Sequence, residues 1–325
     1  MFREYKGEGP EPIGFVLVPQ FSMMAFFSAV EPLRVANRMA GRQLFSWHAY
    51  SLDGQPVAAS NGMTVVAEAA IADVDYVPTL IVCAGFDPQQ AEHKPLLGWL
   101  RMLARKGAAL GGMDTGPHIL AKAGLLDGCR VTMHWEAVPA FREEFPHIEV
   151  SDELFEVDGN RFTCAGGTAA LDMMLHMIAR KHGHALAVAV SEQFIHDRIR
   201  DRRDHQRMQL SSRLGVHNAK LLKIVEAMHQ HLEDPLDSEA LAALGGVSAR
   251  QLERLFRVHL KDTPSGYYLK LRLERARHLL KQSDMSVMEV AMACGFGSAS
   301  SLSRAYRARY GLSPRQDRSP LPELD

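Results

Sequence analysis

Two stretches near the carboxyl end of this 325-residue chain repeat each other: ALAALGGVSARQLERLF, from Ala240 to Phe256, and EVAMACGFGSASSLSRAY, from Glu289 to Tyr306. Ala242 and Gly246 stand 49 residues before Ala291 and Gly295, whereas Leu252, Arg254 and Phe256 stand 50 residues before Leu302, Arg304 and Tyr306. The second copy therefore carries one extra residue just after its turn. Each copy reads as a short helix with a small residue at the point of close approach, a glycine turn and a second helix, which is the helix-turn-helix pattern. Between the copies, PSGYYLKLRLERARHLLKQ from Pro264 to Gln282 has apolar residues at helical spacing and no internal breaker. As a helix it would be roughly 29 Å long at about 1.5 Å per residue, close to the roughly 34 Å of one DNA turn. Such a spacer can set two reading helices in successive major grooves.

Charge separates the chain in the same way. Its overall formal charge is only -1, but residues 1–195 carry a net -7, residues 196–214 a net +3 and residues 215–318 a net +5. An acidic half joined to a basic half predicts that the second half alone meets a polyanion. The reading helices would be SARQLERLFRVH and SASSLSRAYRARY. Their Ser248, Arg250, Gln251 and Arg254, then Ser298, Ser300, Ser301, Arg304 and Arg307, supply the donors that base edges and phosphates require, and Ala249 and Ala299 offer apolar contact to a thymine methyl. Leu252, Leu255, Phe256, Leu302 and Tyr306 form the core side. The run IHDRIRDRRDHQRMQLSSRLGVHN loses apolar periodicity and reads as an arginine-rich connection over 196–214, solvated or touching phosphate.

The amino-terminal half alternates short apolar runs, IGFVLVP, FSWHAYSL, TLIVCAGF and AALGGM, with helical patterns. That order predicts a mostly parallel sheet with helices on both faces, a flavodoxin-like sandwich, over residues 12–195. Ligands of such sheets sit outside the carboxyl ends of the strands, here Pro19, Cys83 to Phe86 and Gly112 to Asp114. In LGGMDTGPHILAKAG, glycines permit a tight turn, and Pro117 suits a first helical turn, so Asp114 lies at a helix start and reads also as a helix N-cap. Four scattered cysteines without a CxxC pair suit a reducing compartment and exclude a zinc ribbon, and no run approaches the roughly 18 apolar residues of a membrane span. A cytoplasmic, nucleoid-associated protein is expected, with no membrane contact, no metal and no cofactor, and with residues 1–12 as a short mobile tail.

Residues 12–195 resemble the class I glutamine-amidotransferase-like superfamily, the PfpI and ThiJ proteins. Position by position, the superfamily's turn cysteine falls on Asp114, its glutamate on Glu31 in AVEPLR and its histidine on His134 in VTMHWE. The resemblance thus implies a degenerate site without a catalytic nucleophile, because a carboxylate at a helix start is a poor substitute for a thiolate. Glu31, Asp114, Thr115, His134 and Trp135 would then line a pocket for a small cation, two acids neutralising an ammonium or guanidinium and an indole face attracting it. Glu31 paired with Arg34, a core His134 and a packing Trp135 are the competing readings. An amidotransferase-like enzyme fused to a DNA-binding domain, with Cys83 or Cys164 as its thiol, is the competing function.

Residues 215–318, with RLERARHLL and VMEVAMACGFGSASSLSRAYRARYGLSP, are similar to the AraC/XylS DNA-binding domain. They depart from it at Ser301 and Leu302, where that family often has a histidine and an aromatic residue. The whole chain resembles the GlxA group of AraC-type regulators, which includes regulators of arginine, carnitine and betaine catabolism. The resemblance implies a ligand-responsive regulator of catabolic genes, an activator, with promoter DNA, a small-molecule effector, RNA polymerase and a second copy of the chain as partners.

Overall fold

The structure, a computed structural model, describes residues 5, 7–86, 88–91 and 94–318. Much of the tail expected at residues 1–12 lies outside the described residues, and its last two residues, Glu11 and Pro12, already belong to a strand. The chain divides into two compact units between Gln206 and Arg207. No described helix is long and apolar enough to cross a membrane.

The first unit is built on seven strands: β1 Glu11–Leu17, β2 Phe45–Ser51, β3 Ala69–Ala70, β4 Thr79–Cys83, β5 Ala109–Met113, β6 Phe155–Asp158 and β7 Arg161–Cys164. Their order across the sheet is β6-β7-β5-β4-β1-β2-β3, and every neighbouring pair is parallel except β6 and β7. Alternation along each central strand feeds two separate cores. Ile13, Phe15 and Leu17 of β1 and Ile81 and Cys83 of β4 join one core with helices α1 Met23–Ala40, α5 Ala169–His182 and α6 His184–Gln193. Val16, Leu80 and Val82 join the other with α2 Lys94–Arg105, α3 Gly116–Lys122 and α4 Val138–Glu144. Both faces are covered, which is why the strands read as unbroken apolar runs rather than as an apolar–polar alternation.

The segment expected as a connection is split between the units. Residues 196–206 are fastened to the first one. Asp172 of α5, fully buried, accepts from the Arg200 backbone N–H at 2.7 Å, from its Nε at 2.9 Å and from its Nη2 at 2.7 Å, and lies 3.1 Å from His196 Nε2. Arg198 pairs with Asp204, and Arg202 lies within ion-pair distance of Glu153 and Glu156. Arg198, Arg200 and Arg202 thus each face a carboxylate of their own unit.

The second unit is helical throughout: α7 Leu210–Leu214, α8 Ala219–Gln230, α9 Ser238–Gly245, α10 Ala249–His259, α11 Pro264–Gln282, α12 Val287–Ala293, α13 Ala299–Tyr310 and α14 Pro314–Arg318. The two repeats are α9–α10 and α12–α13. In both, the turn glycine is left-handed, Gly246 at φ 58° and Gly295 at φ 70°, a conformation glycine adopts without strain. Leu252, Phe256, Leu302 and Tyr306 are at most 1% exposed, as the repeat predicts for its core side. The spacer forms one 19-residue helix, α11, capped at its start by the Thr263 side chain.

Candidate functional site

At the carboxyl edge of the sheet, the turn that follows β5 places Asp114 at φ 59°, a left-handed conformation that costs a non-glycine residue energy and that asparagine and aspartate tolerate best. The turn is held open by its neighbours. The Asp114 N–H donates to the Cys164 carbonyl at 3.0 Å, and the Asp114 carbonyl accepts from the His134 N–H at 3.1 Å. Two glycines make room for it. A Cβ on Gly116 would lie 2.3 Å from the Val82 carbonyl oxygen, and one on Gly166 would lie 2.9 Å from the Asp114 Cβ. The strand end, the glycines and the strained acid thus form a single close-packed corner.

Asp114 is not the cap of α3. That helix starts at Gly116, its N-cap is Thr115, and no side chain caps it. The carboxyl group is held among unfavourable surroundings: burial, and then the negative charge of Glu136, push its pKa up to about 7, against a hydrogen bond from Ser22 that lowers it. At neutral pH the group is therefore poised between its charged and neutral forms. Ser22 also caps α1, accepting from the Ala25 N–H at 3.3 Å, so it is fixed between two tasks.

The other expected members of the pocket divide. His134 and Trp135 are partly exposed and lie side by side, ring centroids 5.6 Å apart, on the loop whose N–H bonds the Asp114 carbonyl. Glu136, on the same loop, lies 3.8 Å from His134 Nδ1. Thr115, by contrast, is 3% exposed and its hydroxyl donates to the Gly85 carbonyl at 2.6 Å, so it pins two strand ends together and has no free hydroxyl to offer. Glu31 binds Arg34 through Nε at 2.9 Å and Nη2 at 2.6 Å, the pairing that competes with a pocket role. The second carboxylate acting on Asp114 is Glu136. It stands in VTMHWE, immediately after Trp135, but only the fold brings it to bear on Asp114.

Burial favours the protonated form of both buried thiols. Burial drives Cys83 far above the ordinary thiol range and Cys164 up to about 12.

In the second unit the expected DNA-facing residues also separate into two groups. Arg250, Arg254, Arg304 and Arg307 are exposed on α10 and α13, as is Ser300. Ser300, Arg304 and Arg307 line one concave surface together with Ser303 and Arg315, and Gln251 and Arg254 line another with Asn218, Lys220 and His259. Lys220, His259 and Arg315 lie outside the reading helices' quoted donors, and only the packing of α8, α10 and α14 reveals them. Ser248, Gln251, Ser298 and Ser301 spend their oxygens locally. Ser248 and Gln251 form a capping box, with Ser248 Oγ accepting from the Gln251 N–H at 3.3 Å and Gln251 Oε1 from the Ser248 N–H at 2.9 Å. Ser298 Oγ accepts from the Ser301 N–H at 3.1 Å, and Ser301 Oγ donates to the Ser298 carbonyl at 2.7 Å. Each cap is worth about 1 kcal/mol to its helix, so these side chains start the reading helices as well as edging them.

The second reading helix is also tied to the spacer. Arg272 of α11 donates to the carbonyls of Cys294 at 2.8 Å and Gly295 at 2.6 Å, and its guanidinium lies 4.2 Å from the Phe296 ring centroid. Asp317 of α14 joins Arg277 at 2.9 Å and the Tyr306 hydroxyl at 2.6 Å. The turn of the second motif is thereby clamped to the long helix.

Comparison with known proteins accounts for both units. Residues 15–180 match the DJ-1/PfpI family, and residues 241–319 match a helix-turn-helix domain. The HTH-type transcriptional regulator CdhR of Pseudomonas aeruginosa is 56% identical over 308 residues, covering 95% of this chain and 91% of its own. The HTH-type transcriptional regulator GlxA of Rhizobium meliloti is 40% identical over 93% of this chain and 94% of its own. A crystal structure of an AraC family transcriptional regulator from Pseudomonas putida, 31% identical, matches 57% of this chain and 100% of its own with a TM-score of 0.52. A parallel sheet ending in a strained acidic turn, followed by paired helix-turn-helix motifs, is thus the build of a transcriptional regulator, and the chain belongs to the AraC-family regulators that carry an amino-terminal DJ-1/PfpI domain.

Proposed function

We propose that this regulator senses a small cationic or amino-acid-like metabolite, of the arginine, carnitine or betaine kind, at Asp114, and that it answers by activating catabolic genes from promoter DNA. The observation that carries the reading is the carboxyl group of Asp114, held partly buried in the turn and under the charge of Glu136, with its pKa raised to about 7. A ligand ammonium or guanidinium placed there would relieve the repulsion between the two acids, and the faces of His134 and Trp135 would receive its apolar and cationic surface. Glu136 takes the part first expected of Glu31, and Thr115 supports the corner from beneath. With Asp114 at the position where the resemblance to the amidotransferase-like superfamily puts the cysteine, the domain over 12–195 would bind without turning over substrate.

In the same proposal the domain over 215–318 contacts DNA through Arg250, Arg254, Ser300, Arg304 and Arg307, with Ala249 and Ala299 against thymine methyls and the capping residues Ser248, Gln251, Ser298 and Ser301 at the helix starts. RNA polymerase and a second copy of the chain are its further partners, and the cytoplasmic nucleoid is its place of work.

A thermal-shift screen of wild type and Asp114→Ala against amino acids, guanidino compounds and quaternary amines tests the reading. A shift seen only in the wild type identifies the effector class. No shift with any cation, or an equal shift in both proteins, removes Asp114 as the sensor.

A further inference from the structure

Gln206 is the last residue of the first unit, and its side chain reaches back to the wall of the acidic corner. Its Nε2 donates toward three oxygens, Thr132 Oγ1, the Met133 carbonyl and the Glu153 carbonyl, each at 3.0 Å. Thr132 is fully buried, and its hydroxyl donates to the Glu153 carbonyl at 2.7 Å, which closes the cluster. One residue beyond Met133, the His134 N–H holds the Asp114 carbonyl.

A second route joins the same exit segment to the same acid from its other side. The Leu154 N–H donates to the Arg202 carbonyl at 2.8 Å, the Ala165 N–H to the Leu154 carbonyl at 2.9 Å, and the neighbouring Gly166 packs against Asp114. Residues 202–206 are thus hydrogen-bonded to both walls of the turn. No hydrogen bond of Gln206 is needed to build the sheet, since all three acceptors lie outside the seven strands.

We infer that Gln206 is a positioning residue of the sensor corner: its amide fixes the loop bearing His134, Trp135 and Glu136, and it joins that loop to the point where the chain leaves the first unit. The inference rests on the sensor reading of Asp114. A ligand that shifts the backbone of this loop would act on the Met133 carbonyl that the Gln206 amide holds. Coupling of this kind is reciprocal, so a change at either end is felt at the other.

Amide hydrogen exchange of the full chain tests this without a ligand. Gln206→Ala, and Gln206→Glu, which keeps the length but removes both N–H donors, should each speed exchange in residues 132–136 by about tenfold or more while β1 and β4 keep their wild-type protection. Asp114→Ala should in turn speed exchange in residues 202–206. Unchanged exchange in 132–136 for both Gln206 variants overturns the inference, as does a uniform rise across the first unit, which would make Gln206 a general stabiliser. Glycine betaine, carnitine and arginine are then added to the wild type. If none shifts its melting, the sensor reading fails independently of the exchange result. If one does, the Gln206 variants should lose at least part of that shift, and a full shift retained in both overturns the positioning role.

Discussion

Replacing Asp114 with asparagine changes the charge of the acidic corner and almost nothing else. Asparagine tolerates the left-handed backbone at φ 59°, and its side-chain oxygen can still accept from Ser22. In the native protein the aspartate pKa is raised from 3.8 to about 7, through burial first and Glu136 second. The sign follows from proton linkage. Below pH 3.8 both folded and unfolded chains hold the proton; between 3.8 and about 7 only the folded chain holds it, so this group's contribution to stability falls as pH rises and is lost above about 7. The shift of about three units corresponds to a ceiling of about 4 kcal/mol, at about 1.4 kcal/mol per unit. A unit of this size gains about 2–4 °C in melting temperature per kcal/mol. Melting of wild type and Asp114→Asn, followed from pH 4.5 to 8.5, should therefore give a difference in favour of the variant that grows by roughly 7–13 °C across the range, most of it before pH 7.5. The other titrating groups are common to both proteins and cancel in the difference. A flat difference would refute the buried, repelled carboxyl group, and a difference that grows in favour of wild type would mean that the anion is paired with a cation.

On the proposed reading the same titration would govern ligand binding: a quaternary amine bound at Asp114 should lose about tenfold in affinity per pH unit below about 7, measured by calorimetry, and Asp114→Asn should abolish that dependence. Gly166→Ala puts a Cβ 2.9 Å from that of Asp114 at φ 87°, and should cost about 1–3 kcal/mol in denaturant unfolding of the first unit. Asp172→Ala leaves the Arg200 guanidinium without its buried partner and should destabilise the first unit by about 3–5 kcal/mol, with protease sensitivity rising first in residues 196–206. Arg254→Ala and Arg304→Ala should each weaken promoter binding by about 1–3 kcal/mol in a titration at fixed salt, and unchanged affinity would take that arginine out of the interface.

What could be read ahead of the structure was whatever repeats or alternates locally. The double helix-turn-helix showed itself because Ala242, Gly246, Leu252 and Phe256 recur in register, and the parallel sheet because Ile13 to Leu17 and Leu80 to Cys83 are apolar on both faces. The corner at Asp114 was legible as a turn, since its glycines and Pro117 are adjacent in the chain. Of its partners, His134 and Trp135 came through the family resemblance, but the second carboxylate did not. Glu31 had an arginine three residues away on the same helix and took it, whereas Glu136 reaches Asp114 only through the fold. The arginines of 196–206 read as a solvated run because their carboxylates, Asp172, Glu153 and Glu156, lie 28 to 49 residues upstream. Nothing in the composition around Gln206 marks it; its three acceptors come from loops 53 to 74 residues away.

The unbroken helix α11 has a consequence for the genes this protein would control. With one 19-residue helix between the motifs and with Arg272 clamping the second turn to α11, the two motifs, if they read DNA as proposed, would do so at a fixed spacing. Their target sites would then be set by phase as well as by sequence. A promoter could drift at individual bases within either site and lose affinity by degrees, but inserting about five base pairs between the sites would carry one of them to the far side of the duplex. Adding a full turn of about ten would restore the face yet leave it about 34 Å too distant. The interval between the sites would then be the least forgiving element of the operator.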